Sequence, residues 1–196
     1  MQKHTLLGLI NQYEKQYPEE YENIYLFKQL LITNINCFDK SSEGDHITGS
    51  AWIINNEGTH TLLTHHRKLN RWLQLGGHAD GNSNIRNVAL REVKEESSLT
   101  VKFMLHDNIF DLDIHEIPST DQILCHKHYD IRFAMRVVGS NRYKVTKESN
   151  DLKWVKIGKL SEFTQDISIL RMERKWQQKS YYFDNEIKNI GGINEQ

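Results

Sequence analysis

At 196 residues, the chain is long enough to bury one substantial core, and nothing in its length calls for two. With 25 basic against 26 acidic residues and a formal net charge of -1, no overall field draws it to a nucleic acid polymer or an anionic membrane, so an anionic ligand must be held locally. The first twenty residues lack the apolar run of a secretion signal, and no later stretch reaches the roughly 20 apolar residues of a membrane span, so a soluble cytoplasmic protein is expected. Cys37 and Cys125 are too few and too far apart for a disulfide framework or a thiolate metal cluster, and both are expected to be reduced and structural.

In chain order, Leu6, Leu7, Ile10 and Tyr13 recur at helical spacing, and Pro18 separates them from a second periodic run with Tyr25, Phe27, Leu30 and Leu31. Two helices are therefore expected at the start, serving as a lid or brace. From His46 the texture turns to β: residues 47–55, a turn at 55–58, then residues 59–67, a hairpin signal. The apolar run 72–75 leads into a glycine-rich loop at 76–81, and a helix is expected from about Asn84 to Ser97. Strand-like segments follow at 101–105, 109–117, 128–138 and 152–157, then a helix around 167–178. Helical regions bracketing a mixed sheet with one inserted helix indicate an α/β layered fold in a single domain. Its parts are a helical extension (1–45), a core (46–165) and a C-terminal helix and tail (166–196).

The most informative stretch is Arg91 to Glu96. At about 100° per residue, Glu92, Glu95 and Glu96 share one arc of the helix, and Ile85, Val88 and Ala89 fall in the same arc, so the acids continue an inward-facing stripe. Like charges at these spacings repel, and a cation should sit among them. Oxygen ligands suit a hard divalent ion, Mg2+ or Mn2+, which also coordinates diphosphate. A solvated charged face is the plainer reading of the run, but the loop in front shifts the balance. Gly76, Gly77 and Gly81 let main-chain groups approach a metal-diphosphate complex and place them beside the carboxylates.

Residues Gly77 to Leu99 resemble the Nudix box: Gly, five residues, Glu, seven residues, then Arg-Glu-hydrophobic-x-Glu-Glu-x-Gly-hydrophobic. Gly77, Arg91, Glu92, Val93, Glu95, Glu96 and Leu99 fall in register. Ser83 replaces the first Glu, with Asp80 or Asn84 as candidate substitutes, and Ser98 replaces the Gly that ends the helix. The sequence from His65 to Gly81, with residues 126–133 and 149–155, is similar to a Nudix subgroup marked by a Gly-Gly-His-Ala-Asp-Gly loop. The resemblance implies a Nudix-type α/β/α sandwich with an N-terminal helical extension. It also implies divalent-metal-dependent hydrolysis of a diphosphate linkage in a small nucleoside diphosphate derivative.

By that resemblance Gly77, Glu92, Glu95 and Glu96 are the metal ligands, with Glu92 and Glu95 also catalytic, and Arg91 orients a carboxylate through its planar fork. Glu148, before the strand holding Trp154, is the candidate base outside the box, the alternative being a solvated loop carboxylate. His126, His128, Asp130 and Arg132 alternate on one face of a strand, which suggests a substrate cleft or else a solvated sheet face. Their mixed character fits phosphate and base recognition better than zinc, since no further ligand set stands at zinc-like spacing. His78 contacts phosphate or braces its loop. Trp52 and Trp72 offer faces for stacking on a base, but aromatic residues in strands are more often core, and neither is given a site role. The rival to an enzyme is a Nudix-like module that senses a nucleotide without turning it over; an isoprenoid diphosphate isomerase ranks lower, because neither cysteine is placed for that chemistry. A homodimer is the default assembly.

Overall fold

The computed structural model describes residues 3–40, 44–104, 108–119 and 124–191, with side chains up to 179. Helix α1 spans Lys3–Gln16, a single 3-10 turn Pro18–Glu20, and helix α2 Tyr21–Thr33. Pro18 stands at the first position of that turn, where its missing N–H costs nothing. Strands follow as β1 (His46–Ile54), β2 (His60–His66), β3 (Arg71–Leu73) and β4 (Leu75–His78), then helix α3 (Ile85–Ser97). Strands β5 (Val101–Phe103), β6 (Ile109–Ile117), β7 (His126–Val137) and β8 (Ser149–Lys156) precede helix α4 (Ile167–Gly191). Among the described residues, no helix is long and apolar enough to cross a membrane.

The eight strands form one mixed sheet. β1 runs parallel to β7 along its whole length, from His46 opposite His128 to Ile54 opposite Arg136. The hairpin expected of β1 and β2 survives only at Ile54 and Thr61. β4 takes the same edge of β1 from Thr48 to Ala51, so β2 swings away to pair with β8. The competition for one strand edge is settled by the glycine-rich β4: a Cβ on Gly76 would meet Cβ of Ser50 at 2.6 Å.

Period-two alternation gives the sheet two differently filled faces. On one, Ile47, Gly49, Ala51 and Ile53 of β1 join Tyr129, Ile131 and Phe133 of β7 in a core capped by α1, α2 and α3. Helix α3 packs against β1 so closely that a Cβ on Gly49 would come within 2.9 Å of Ile85. On the other face, Trp52, Ile54 and Ala134 meet Ile169, Met172 and Trp176 of α4. The result is the expected three-layer α/β/α sandwich. The N-terminal helices brace it: Tyr13 of α1 accepts the Leu112 N–H from the open edge of β6 at 3.3 Å, and so occupies a donor that could recruit another strand.

The Cys37 thiol is buried as expected, but Cys125 is exposed and its thiol reaches a carboxylate oxygen of Glu116 at 3.2 Å. It lies just before β7 at an exposed rim and not in the core, which does not fit the structural role expected of it.

Helix α3 is closed by a side chain at its start and by a left-handed residue at its end. The Asn84 side chain accepts from the Asn87 N–H, and Ser98 adopts the left-handed conformation, φ 61°, with its N–H on the Lys94 carbonyl. A residue with a Cβ is strained there by about 1 kcal/mol relative to glycine. Ser98→Gly is therefore expected to raise the free energy of unfolding by about 0.5–1 kcal/mol, read as a higher urea midpoint at unchanged slope.

Candidate metal and catalytic site

The buried stripe of α3 runs through Ile85, Val88, Ala89, Glu92, Val93 and Glu96, as helical projection requires. Glu92 and Glu96 are 8% and 4% exposed, whereas Glu95 stands at the rim of the stripe in solvent. The stripe faces β1 and β4, and the last turns of α3 thus press two carboxyl groups against the Gly76-Gly77 backbone. Glu96 accepts the Gly76 N–H at 2.8 Å. Gly77 lies against Glu92 so closely that a Cβ there would meet its carboxyl carbon at 2.6 Å. This is where the close approach demands glycine.

Arg91 holds the arrangement together. Its guanidinium donates to Glu92 at 2.6 Å and to the His78 carbonyl at 2.7 Å, and it lies 3.5 Å from Asp80 and 3.9 Å from Glu95. Of the two residues considered as substitutes for the missing box glutamate, Asp80 thus reaches the site through Arg91, while Asn84 serves as the helix cap.

Burial raises the pKa of Glu92 above the usual carboxylate range despite Arg91, with Glu95 and Glu148 adding repulsion. Glu96 is pushed up to about 8, by burial first and then by Glu92, Glu148 and Glu95, against the lowering effect of the Gly76 N–H. Glu148 is exposed in the loop before β8, and its charge is felt at both buried glutamates. The fold therefore brings Glu148, remote in sequence, into the electrostatic neighbourhood of the α3 carboxylates. A cleft of about 430 Å³ lies apart from them, lined by Arg71, Trp72, Phe163 and Asp166 among others. Trp52 is in the core, and Trp72, half-buried, packs against the same cluster and stacks on His65 with ring centroids 5.1 Å apart.

The polar face of β7 divides into two parts. Asp130 and Arg132 are each 1% exposed. The Asp130 carboxylate accepts from Thr48 (2.9 Å), Ser50 (2.7 Å), Gln74 (2.9 Å) and Arg132 (2.7 Å). Arg132 donates its remaining nitrogens to Asp111 and Asp113, both at 3.1 Å. From α4, Arg171 and Lys175 complete the set: Arg171 binds Asp111 at 2.7 Å and Asp113 at 2.9 Å, and Lys175 binds Asp111 at 2.6 Å and Glu20 at 2.5 Å. Burial pushes Asp111 and Asp113 up, but the Arg171 hydrogen bond at Asp111, the His115 hydrogen bond at Asp113 and the surrounding cations outweigh it and hold both carboxyls below the usual range. Alternation put Asp130 and Arg132 on one face correctly; it could not reveal that α4 covers that face with charge of its own.

At the other end of the same face, His126 and His128 meet His46 and His78. The His46 ring centroid lies 4.6 Å from that of His128, 5.0 Å from that of His126 and 5.2 Å from that of His78. Sequence reasoning missed His46 as a member. Its only signal is the parallel register that sets it opposite His128. Burial lowers His78 to about 4, with Lys40 and then the neighbouring rings adding to it, and lowers His128 to about 2 with the rings alone adding to it, so these imidazoles stay neutral near pH 7.

A profile of the NUDIX domain matches residues 45–175. No functionally curated protein matches the chain. Among solved structures, the chain is similar to a NUDIX-family hydrolase from Clostridium perfringens, with 23% identity over 68% of this chain and 97% of that one, at a TM-score of 0.51. A MutT protein from Methanosarcina mazei is 21% identical over 71% and 97%, with a TM-score of 0.57. An Ap4A hydrolase from C. elegans is 15% identical over 69% and 97%, with a TM-score of 0.50. At these identities the likeness carries the fold.

Proposed function

Since the chain belongs to the Nudix family of pyrophosphohydrolases, we propose that it hydrolyses the diphosphate linkage of a nucleoside diphosphate derivative, using Mg2+ or Mn2+ held by Glu92, Glu95 and Glu96 with the main-chain oxygen of Gly77. The observation that carries this reading is the pair of buried carboxyl groups, Glu92 and Glu96, set on adjacent turns against a glycine backbone. Burial and mutual repulsion disfavour their charge, so the pair is poised to gain a cation. All-oxygen donors fit a hard divalent ion. When bound, such an ion supplies charge neutralisation at the phosphates and acidifies water.

The chain's own groups then position and move protons. Arg91 fixes the rotamer of Glu92 and is itself anchored by the His78 carbonyl, so one side chain ties α3 to β4. The Gly76 N–H fixes Glu96. Glu148 is assigned as the group that accepts a proton from the attacking water: the water oxygen bonds to phosphorus, the anhydride P–O bond breaks, and the leaving phosphate departs with the bond electrons. Asp130 and Arg132 are not carried forward as substrate contacts, because their polar atoms are already taken up by protein groups. His78, His126 and His128 form the histidine cluster and stand outside this assignment.

Turnover in 18O-labelled water of nucleotide sugars, dinucleoside polyphosphates and dinucleotide cofactors tests the reading. Label appearing on a product phosphate is expected; cleavage that leaves label elsewhere contradicts it. A sharper structural consequence concerns Gly77. Its Cβ would displace the flexible end of Glu92 rather than backbone, so Gly77→Ala is expected to fold normally. It should nonetheless lower kcat/KM by on the order of 10²-fold, since a misplacement of about 1 Å has that effect. Unchanged kinetics would show that the approach of Gly77 to Glu92 is incidental.

A further inference from the structure

We propose that His46, His78 and His128 form a second metal site, separate from the α3 carboxylates and selective for borderline divalent transition ions of the Zn2+ and Co2+ class. One ligand nitrogen from each of these three rings lies within 4.8 Å of the others, a spacing a single ion can bridge. The three come from the start of β1, the end of β4 and the start of β7, and strand pairing alone assembles them: His46 sits opposite His128, and His78 opposite Thr48.

The proton positions favour a metal. His46 Nδ1 faces the Gly44 carbonyl at 2.9 Å; a carbonyl can only accept, so Nδ1 carries the hydrogen and Nε2 presents a lone pair. That Nε2 is buried on a side chain 3% exposed and has no hydrogen-bond partner among the described residues, and the same holds for the buried Nε2 of His128. Two orphan nitrogens in one cluster are costly unless something binds them. A ring whose other nitrogen is fixed by a carbonyl is also the usual arrangement of a metal-ligating histidine. His126 repeats the carbonyl contact, with Nδ1 2.8 Å from the Leu124 carbonyl, and stacks its ring on His46, but it stands outside the set of three whose nitrogens converge. Imidazole donors suit Zn2+, Co2+, Ni2+ or Cu2+, whereas Mg2+ prefers oxygen. The site therefore does not compete for the ion at the carboxylates. It touches them all the same, because the His78 carbonyl accepts from Arg91.

The test uses the full chain, stripped of metal and titrated with Co2+ alone. Because Co2+ can also enter an oxygen site, E92Q/E96Q serves as the background. Retention of one equivalent with the strong visible absorption of low-coordinate, nitrogen-ligated Co2+ is expected in that background, and H46Q or H128Q added to it should weaken binding by roughly 100-fold or more. Cu2+ bound to the unsubstituted chain reads the ligands without any risk of misfolding, and nitrogen hyperfine structure in its electron paramagnetic resonance spectrum is the expected result. Loss of tight Co2+ binding in E92Q/E96Q itself, binding indifferent to H46Q and H128Q, or a Cu2+ spectrum free of nitrogen coupling would each overturn the proposal.

Discussion

Glu96→Gln is expected to lower kcat by on the order of 10²–10³-fold while leaving the metal-free protein as stable as before or more so. The two effects share one cause. Glu96 is a carboxyl group held in a place that disfavours its charge, with its pKa pushed up to about 8. The amide has the same shape and keeps an oxygen to accept the Gly76 N–H, so packing and that hydrogen bond survive. What disappears is the negative charge that a cation needs. A group kept at the expense of stability and required for activity marks a functional position. Kinetics and thermal unfolding measured on the same preparation separate the outcomes. A fall in both activity and stability would make Glu96 a structural residue of α3.

Arg132→Met should act in the opposite sense, with its main effect on the fold: a loss of about 3–5 kcal/mol of unfolding free energy, measured in urea. Arg132 is buried and bonded to Asp111, Asp113 and Asp130 at once. Methionine fills similar space but leaves three carboxylates, all at least nine-tenths buried, with only part of their compensation. Arg171 and Lys175 remain on α4, so the sandwich loosens where helix and sheet are joined by charge rather than by the Trp52, Met172 and Trp176 contacts. The exposed pair Lys159–Glu162, 3.2 Å apart, is the control, and Lys159→Met should change stability by about 0–0.5 kcal/mol. A loss from Arg132→Met no larger than the control's would mean that the buried charges are not what fastens α4.

How far the sequence could be read depended on the range of the interaction involved. Helix α3 was legible because its determinants are local: Asn84 at one end, a 3.6-residue stripe through Glu92 and Glu96, and Ser98 at the other. Asp130 and Arg132 were placed on the right face by alternation, yet whether water or protein covers that face depends on Arg171 and Lys175, some forty residues later in the chain. The charges at Asp111 and Asp113, also at alternate positions in an apolar strand, were the available hint of a buried network. The hairpin of β1 and β2 is shorter than expected for a related reason, since turn chemistry at 55–58 is visible locally while the claim of β4 on the same edge is not. Metal-ligand spacing is legible along one segment of chain, whereas the histidines that come together belong to three strands.

Whether the carboxylates of α3 support metal-dependent cleavage of a diphosphate is decided by measuring phosphate and nucleotide release from a panel of nucleoside diphosphate derivatives, with Mg2+ or Mn2+ and with chelator, alongside calorimetric binding of the same compounds. Release that requires the added ion and stops with chelator is the predicted result. Tight binding without release under any of these ions would contradict it, and would make the chain a nucleotide sensor built on a Nudix fold.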